Sequence, residues 1–118
     1  VDSGANVTVL DARRADAYDL KPDPLVRGFA LGLGGGMQAR AWRVGDLAID
    51  GAPSRLKRIM TADLGPMIKV LSPGSAKPVD GIIGQDILRT HRAVIDVAGA
   101  RLYLAEAGEP VPCAAPRA

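Results

Sequence analysis

Glycine and proline divide this chain into pieces too short for a long-helix architecture. They total 14 and 9 of 118 residues, nearly a fifth of the chain. They fall between short apolar runs, such as those at residues 7–10, 29–33 and 82–83. Many short strands joined by turns fit that punctuation better than a helical bundle does. Hydrophobic residues make up 47%, enough for a core, but aromatics only 3%. That core must therefore be built from Val, Leu, Ile, Ala and Met. The length suits one compact domain and is too short for two.

Other composition features narrow the function. The net charge is +2. The densest basic cluster, Arg55, Lys57 and Arg58, has no interleaved aromatic residue. Nucleic-acid binding calls for a stronger basic stripe with stacking partners, so a solvated strand face is the expectation here. The single cysteine, Cys113, can neither form a disulfide within the chain nor seed a metal cluster. His91 is the only histidine and is expected to be structural, at the end of a short helix. No apolar run approaches the ~20 residues needed to span a membrane.

Along the chain, residues 2–6 (Asp-Ser-Gly-Ala-Asn) carry turn chemistry and lead into an apolar segment at 7–10. Asp11 is placed to cap a helical turn or two over residues 11–18. Residues 28–42 read as a hairpin turning at Gly34, Gly35 and Gly36. Further strands are expected at 44–49 and 55–64, separated by a turn at Asp50-Gly51-Ala52-Pro53. Residues 65–78 read as a loop interrupted by apolar residues, and 79–84 as a short buried strand. A short helix is expected at 85–91, with Asp86 near its N-terminus, and a hairpin at 93–104. Residues 106–118 form a Pro/Ala-rich tail expected to stay outside the core.

Two segments carry the chemistry. The first is Val1-Asp2-Ser3-Gly4-Ala5, and the second runs from Asp80 through Gly81-Ile82-Ile83-Gly84-Gln85-Asp86 to Leu88. Each alone is a weak signal. In this order, with a glycine-rich hairpin between them, they resemble the retropepsin-like aspartic proteases, in particular bacterial-type members. The resemblance covers residues 1 to about 104.

The resemblance implies a mainly β fold: a closed, barrel-like acid protease lobe with a flap hairpin and one short helix in its C-terminal half. The lobe would span residues 1–105, lacking the N-terminal strand or strands that family members carry before the catalytic Asp, and residues 106–118 would be a flexible tail. Asp2 would be the catalytic carboxylate. Ser3, Gly4, Ala5, Ile82, Ile83 and Gly84 would support its loop, with the Ser3 hydroxyl reaching across to a partner loop. Leu33, Gly34, Gly35, Gly36 and Met37 would form the flap over an extended peptide. Asn6 departs from the Ser or Thr more usual there.

The physical chemistry agrees with that reading. Two carboxylates a few ångströms apart cannot both ionise easily, so they share a proton and titrate as a pair. One can then take a proton from water while the other hydrogen-bonds the scissile carbonyl. This chain has one Asp-Ser-Gly turn. The second carboxylate must come from an identical chain in a homodimer or from a homologous upstream lobe. The expectation is thus an aspartic endopeptidase acting on peptide or protein substrates, with no metal or organic cofactor, no nucleic-acid partner and no membrane span in this segment. The resemblance points to a bacterial protein that is periplasmic or otherwise exported. The competing reading is an inactive dimerisation or peptide-binding module on the same fold.

Overall fold

The structure, a computed structural model, describes residues 1–23, 29–32, 36–71, 73–74 and 77–106. Its architecture is mainly β. A mixed sheet is built around β1 (Val9–Asp11), which lies parallel to β7 (Arg58–Ala62) on one side and antiparallel to β8 (Gly81–Ile82) on the other. Beyond β7 come β4 (Gly36–Val44) and then β2 (Leu20–Pro22), and β3 (Phe29–Gly32) also pairs with β4. Two separate hairpins are β5 (Leu47–Ile49) with β6 (Ala52–Ser54), and β9 (Val94–Asp96) with β10 (Arg101–Tyr103). Among the described residues, β2 and β8 stand at opposite ends of the strand order, so the pairing does not close a barrel.

The central strands are covered on both faces. Val9 and Met60 belong to one buried cluster, with Ala39, Ala41, Ala62 and Leu64. Their sequence neighbours Leu10 and Ile59 belong to another, with Val44. Successive residues of a strand point to opposite faces, so two packed faces require consecutive apolar residues. This is why Ile59, Met60, Thr61 and Ala62 are all buried. Both clusters are aliphatic, as the low aromatic content requires. Trp42 packs against the second and donates its Nε1–H to Thr61 Oγ1 at 2.7 Å, tying β4 to β7.

Local chemistry explains most boundaries. Asp11 caps a 3₁₀ helix (Ala12–Ala17), its carboxylate accepting the Arg13 amide. Asp50 and Gly51 both have positive φ (49° and 79°), as a two-residue hairpin turn of the favoured twist demands. That turn separates β5 from β6, so of the strand expected at 44–49 only 47–49 form β5, Val44 ends β4, and Ala52 and Pro53, expected in the turn, belong to β6. The region expected to be a loop at 65–78 contains helix α1 (Gly65–Leu71). Pro66 sits in its first turn, where its missing N–H costs nothing, and the Asp63 carboxylate accepts the Gly65 amide at 3.0 Å.

Arg55, Lys57 and Arg58 are all exposed, as a solvated face requires, and Arg58 is also paired. Arg43 and Arg58 are directly opposite across β4 and β7, a repulsive arrangement by itself. Buried Asp23 offsets it, with Arg58 Nε at 2.6 Å and Arg43 Nε at 3.8 Å. His91 closes α2 (Gln85–Thr90) and is buried, as a structural histidine would be. Its Nδ1 donates to the Ala105 carbonyl at 2.8 Å, and Nε2 lies 3.1 Å from Ser54 Oγ. One side chain thereby fastens the end of the helix to β6 and to the segment following β10.

Candidate active site

The loop of residues 2–8 enters β1 and is held to the segment that joins β8 to α2. The Asp2 amide donates to the Ile83 carbonyl at 2.9 Å. The Ala5 amide donates to the Asp2 carbonyl at 3.2 Å, and the Gly4 amide to Asp2 Oδ1 at 2.8 Å. These two bonds form a tight turn in which the Asp2 side chain reads its own backbone, as short polar side chains do. Asp2 is half-buried, so its carboxylate is held by a fixed donor while still reaching solvent.

The segment after β8 grips the loop from its other side. The Gln85 amide donates to the Ala5 carbonyl at 2.8 Å, and Gln85 Nε2 to the Ser3 carbonyl at 2.7 Å. Two glycines permit this proximity. A Cβ at Gly84 would overlap the Val7 carbonyl, and one at Gly81 would lie 2.6 Å from the Val9 carbonyl oxygen. A Cβ at Gly4 would lie 3.2 Å from Asp2 Oδ1, so the small residue there keeps room for the carboxylate. Ile82 pairs with Val9 and packs against the first core cluster, linking the loop to the most buried part of the sheet.

Of the residues read from the sequence, Asp2 is thus brought against Ile83 and Ala5 against Gly84, while Gly4 bonds the Asp2 carboxylate and Ile82 pairs with Val9. Ser3 is exposed, and its contact here is made through its carbonyl. The glycine-rich hairpin exists as β3 paired with β4, in register from Phe29 opposite Ala39 to Gly32 opposite Gly36. Gly36 and Met37 open β4, while Leu33, Gly34 and Gly35 lie outside the described residues.

Sequence reasoning missed Thr8, and placed Gln85 and Asp86 within the second motif without giving either a role in the site, reading Asp86 as a helix N-terminal acid. All three side chains bond between the two motifs. Gln85 was findable from its place directly after Gly84. The Thr8–Asp86 pairing had no local signal.

A cavity of about 430 Å³ adjoins the bracing segment, with Thr8, Ile82 and Ile83 in its lining beside Leu10, Leu20 and Ile59. Asp2, Ser3 and Gly4 do not contribute to that lining. Among the described residues no group of three His, Cys, Asp or Glu is arranged to hold a metal ion. No helix among them is long and apolar enough to cross a membrane.

An isolated carboxylate on a braced turn can take a proton from water only when its own charge state is controlled. A second carboxylate at close range would supply that control. A family model described as aspartyl protease matches residues 1–87. A search among curated proteins returned no match. The matched stretch covers most of the chain and includes the Asp2 turn and the Gly84 segment that braces it. The chain belongs to the aspartyl protease family, within the retropepsin-like clan.

Proposed function

We propose that this chain is one lobe of an aspartic endopeptidase and that Asp2 is its catalytic carboxylate. The observation carrying the reading is the Asp2 turn itself. Its carboxylate accepts the Gly4 amide at 2.8 Å, and its backbone is tied to the Ile83 carbonyl at 2.9 Å. A fixed donor on one carboxylate oxygen orients the group without burying it. Such preorganisation is what proton transfer at a defined atom requires.

The second carboxylate comes from an identical chain or from a homologous lobe of the same polypeptide. One member of the pair is ionised and takes a proton from the water between them. The resulting oxygen nucleophile attacks the scissile carbonyl carbon, while the protonated carboxyl donates to the carbonyl oxygen. As the tetrahedral intermediate collapses, the C–N bond breaks and the amine leaves with a proton from the pair. The proton count is restored for the next water. The β3–β4 hairpin acts as the flap, with residues 33–37 at its tip closing over an extended peptide. Residues 1–105 are the lobe and 106–118 an appended tail.

A statine-type inhibitor, which mimics the tetrahedral intermediate, tests this reading. It is expected to raise the melting temperature of the assembled protein and to fail to do so for Asp2→Asn. Equal stabilisation of both proteins would remove Asp2 from the reaction.

A further inference from the structure

Thr8 and Asp86, 78 positions apart, meet through both backbone and side chain. The Thr8 amide donates to Asp86 Oδ2 at 2.9 Å, and the Thr8 hydroxyl to Asp86 Oδ1 at 2.6 Å. Oδ1 also accepts the Ile87 amide at 2.8 Å. The Thr8 hydroxyl oxygen in turn accepts the Gly84 amide at 3.0 Å. An amide can only donate, so the direction of the hydroxyl proton is fixed: Oγ1 accepts from Gly84 and gives its proton to the carboxylate.

The Gly84 N–H belongs to the same peptide unit as the Ile83 carbonyl. That planar unit is therefore gripped at both ends. Its N–H is held by Thr8, and its carbonyl receives the Asp2 amide at 2.9 Å. A continuous hydrogen-bonded path runs from the Asp86 carboxylate through Thr8 and the 83–84 peptide to the backbone of Asp2. The second arm, from the Thr8 amide to Oδ2, fixes the other end of the same loop.

We propose that Asp86 is a positioning residue for the reaction assigned to Asp2, and that the role requires a carboxylate. This rests on the protease reading given above. Three donors converge on the group: the Thr8 amide, the Thr8 hydroxyl and the Ile87 amide. A carboxylate only accepts and satisfies all three. An asparagine cannot. With its amide nitrogen toward the Thr8 N–H, two donors oppose each other. Flipped, the nitrogen faces the Ile87 N–H and competes with Gly84 for the Thr8 oxygen. Either orientation loosens one arm of the path.

The test uses the full-length, assembled protein and a peptide substrate selected from a random mixture. Asp86→Asn and Thr8→Val are expected to lower kcat about tenfold to a hundredfold, the scale at which small misplacements act. KM should stay within about threefold, because the substrate contacts are elsewhere. The concentration of sites titrated by a statine inhibitor should be unchanged, which separates mispositioning from unfolding. Thr8→Ser keeps the hydroxyl and should restore kcat to within about threefold of wild type.

Amide hydrogen exchange supplies a readout that needs no cleavage. Exchange at Asp2 and Gly4 should accelerate at least about tenfold in Asp86→Asn, with β4 and β7 amides unchanged. Wild-type kcat in Asp86→Asn, or Thr8→Ser as slow as Thr8→Val, overturns the proposal. So does unchanged exchange at Asp2. Should Asp86→Asn not fold, Thr8→Val decides. A wild type that cleaves nothing sinks the protease reading instead, and exchange alone then decides whether Asp86 positions Asp2.

Discussion

At Gly84 a missing side chain matters as much as any present one. An added Cβ would overlap the Val7 carbonyl, and that carbonyl cannot move without shifting the loop that carries Asp2. Gly84→Ala is therefore expected to destabilise the fold by about 2 kcal/mol or more, read by urea unfolding. A cost below a few tenths would mean that the two segments are not in contact. Asp11 offers a test of a different kind. Burial pushes its carboxyl up, but the Arg13 side-chain and backbone hydrogen bonds, the Arg13 charge and a hydrogen bond from the Leu64 backbone amide together hold it below the usual carboxylate value. A lowered folded-state value contributes stability above the unfolded carboxyl range and loses it as pH falls through the folded value. Replacing Arg13 by Gln should accordingly reduce stability more at pH 7 than at pH 3. An equal loss at both would show that the charge of Asp11 is not involved. At this scale the turn at residues 2–5 was legible because its bonds are local, spanning two and three positions. The Thr8–Asp86 contact was not, because a hydroxyl and a carboxylate 78 positions apart leave no periodic trace.

Between elements, the His91 ring ties the end of α2 to β6 and to the segment following β10. His91→Ala would leave a cavity beside α2 and two polar groups without their partner. The expected cost is about 2–4 kcal/mol in urea unfolding, with the mixed sheet retained by circular dichroism. A cost under about 1 kcal/mol would mean that the hairpin β9–β10 is not anchored through this residue. The closing hairpin was the most readable element, because Ala98-Gly99-Ala100 is a turn sequence between two short strands, whereas at Asp50-Gly51 the turn was legible but its return strand, Ala52–Ser54, was not. Helix α1 was hidden because Gly65 and Pro66 read as breakers when considered without their position. In a first turn, beneath the Asp63 carboxylate, neither breaks anything. The two-faced burial of β1 and β7 was also unreadable from alternation, which applies to sheets with one wet face.

As a whole molecule, the chain holds one Asp-Ser-Gly turn and needs a second carboxylate to run the proposed chemistry. Family membership was legible because it depends on order and spacing: the Asp2 turn, a glycine-rich hairpin, then Gly84 before a short helix. Barrel closure was not, since it depends on which strand ends meet in space, and β2 and β8 stand at opposite ends of the described pairing. The source of the second Asp has its own test. If it comes from an identical chain, mixing unfolded Asp2→Asn with wild type and refolding should lower specific activity beyond simple dilution, because mixed pairs are inactive. If it lies upstream in the same polypeptide, activity should fall only in proportion to dilution.

The most direct measurement is digestion of an unbiased peptide mixture by the full-length protein from pH 4 to 7, with products read by mass spectrometry. Asp2→Asn, verified as folded, is run beside it. The account predicts internal cleavages by the wild type that fall at least about a thousandfold in the variant. Undiminished cleavage by Asp2→Asn, or none at any pH by a folded, assembled wild type, would contradict it.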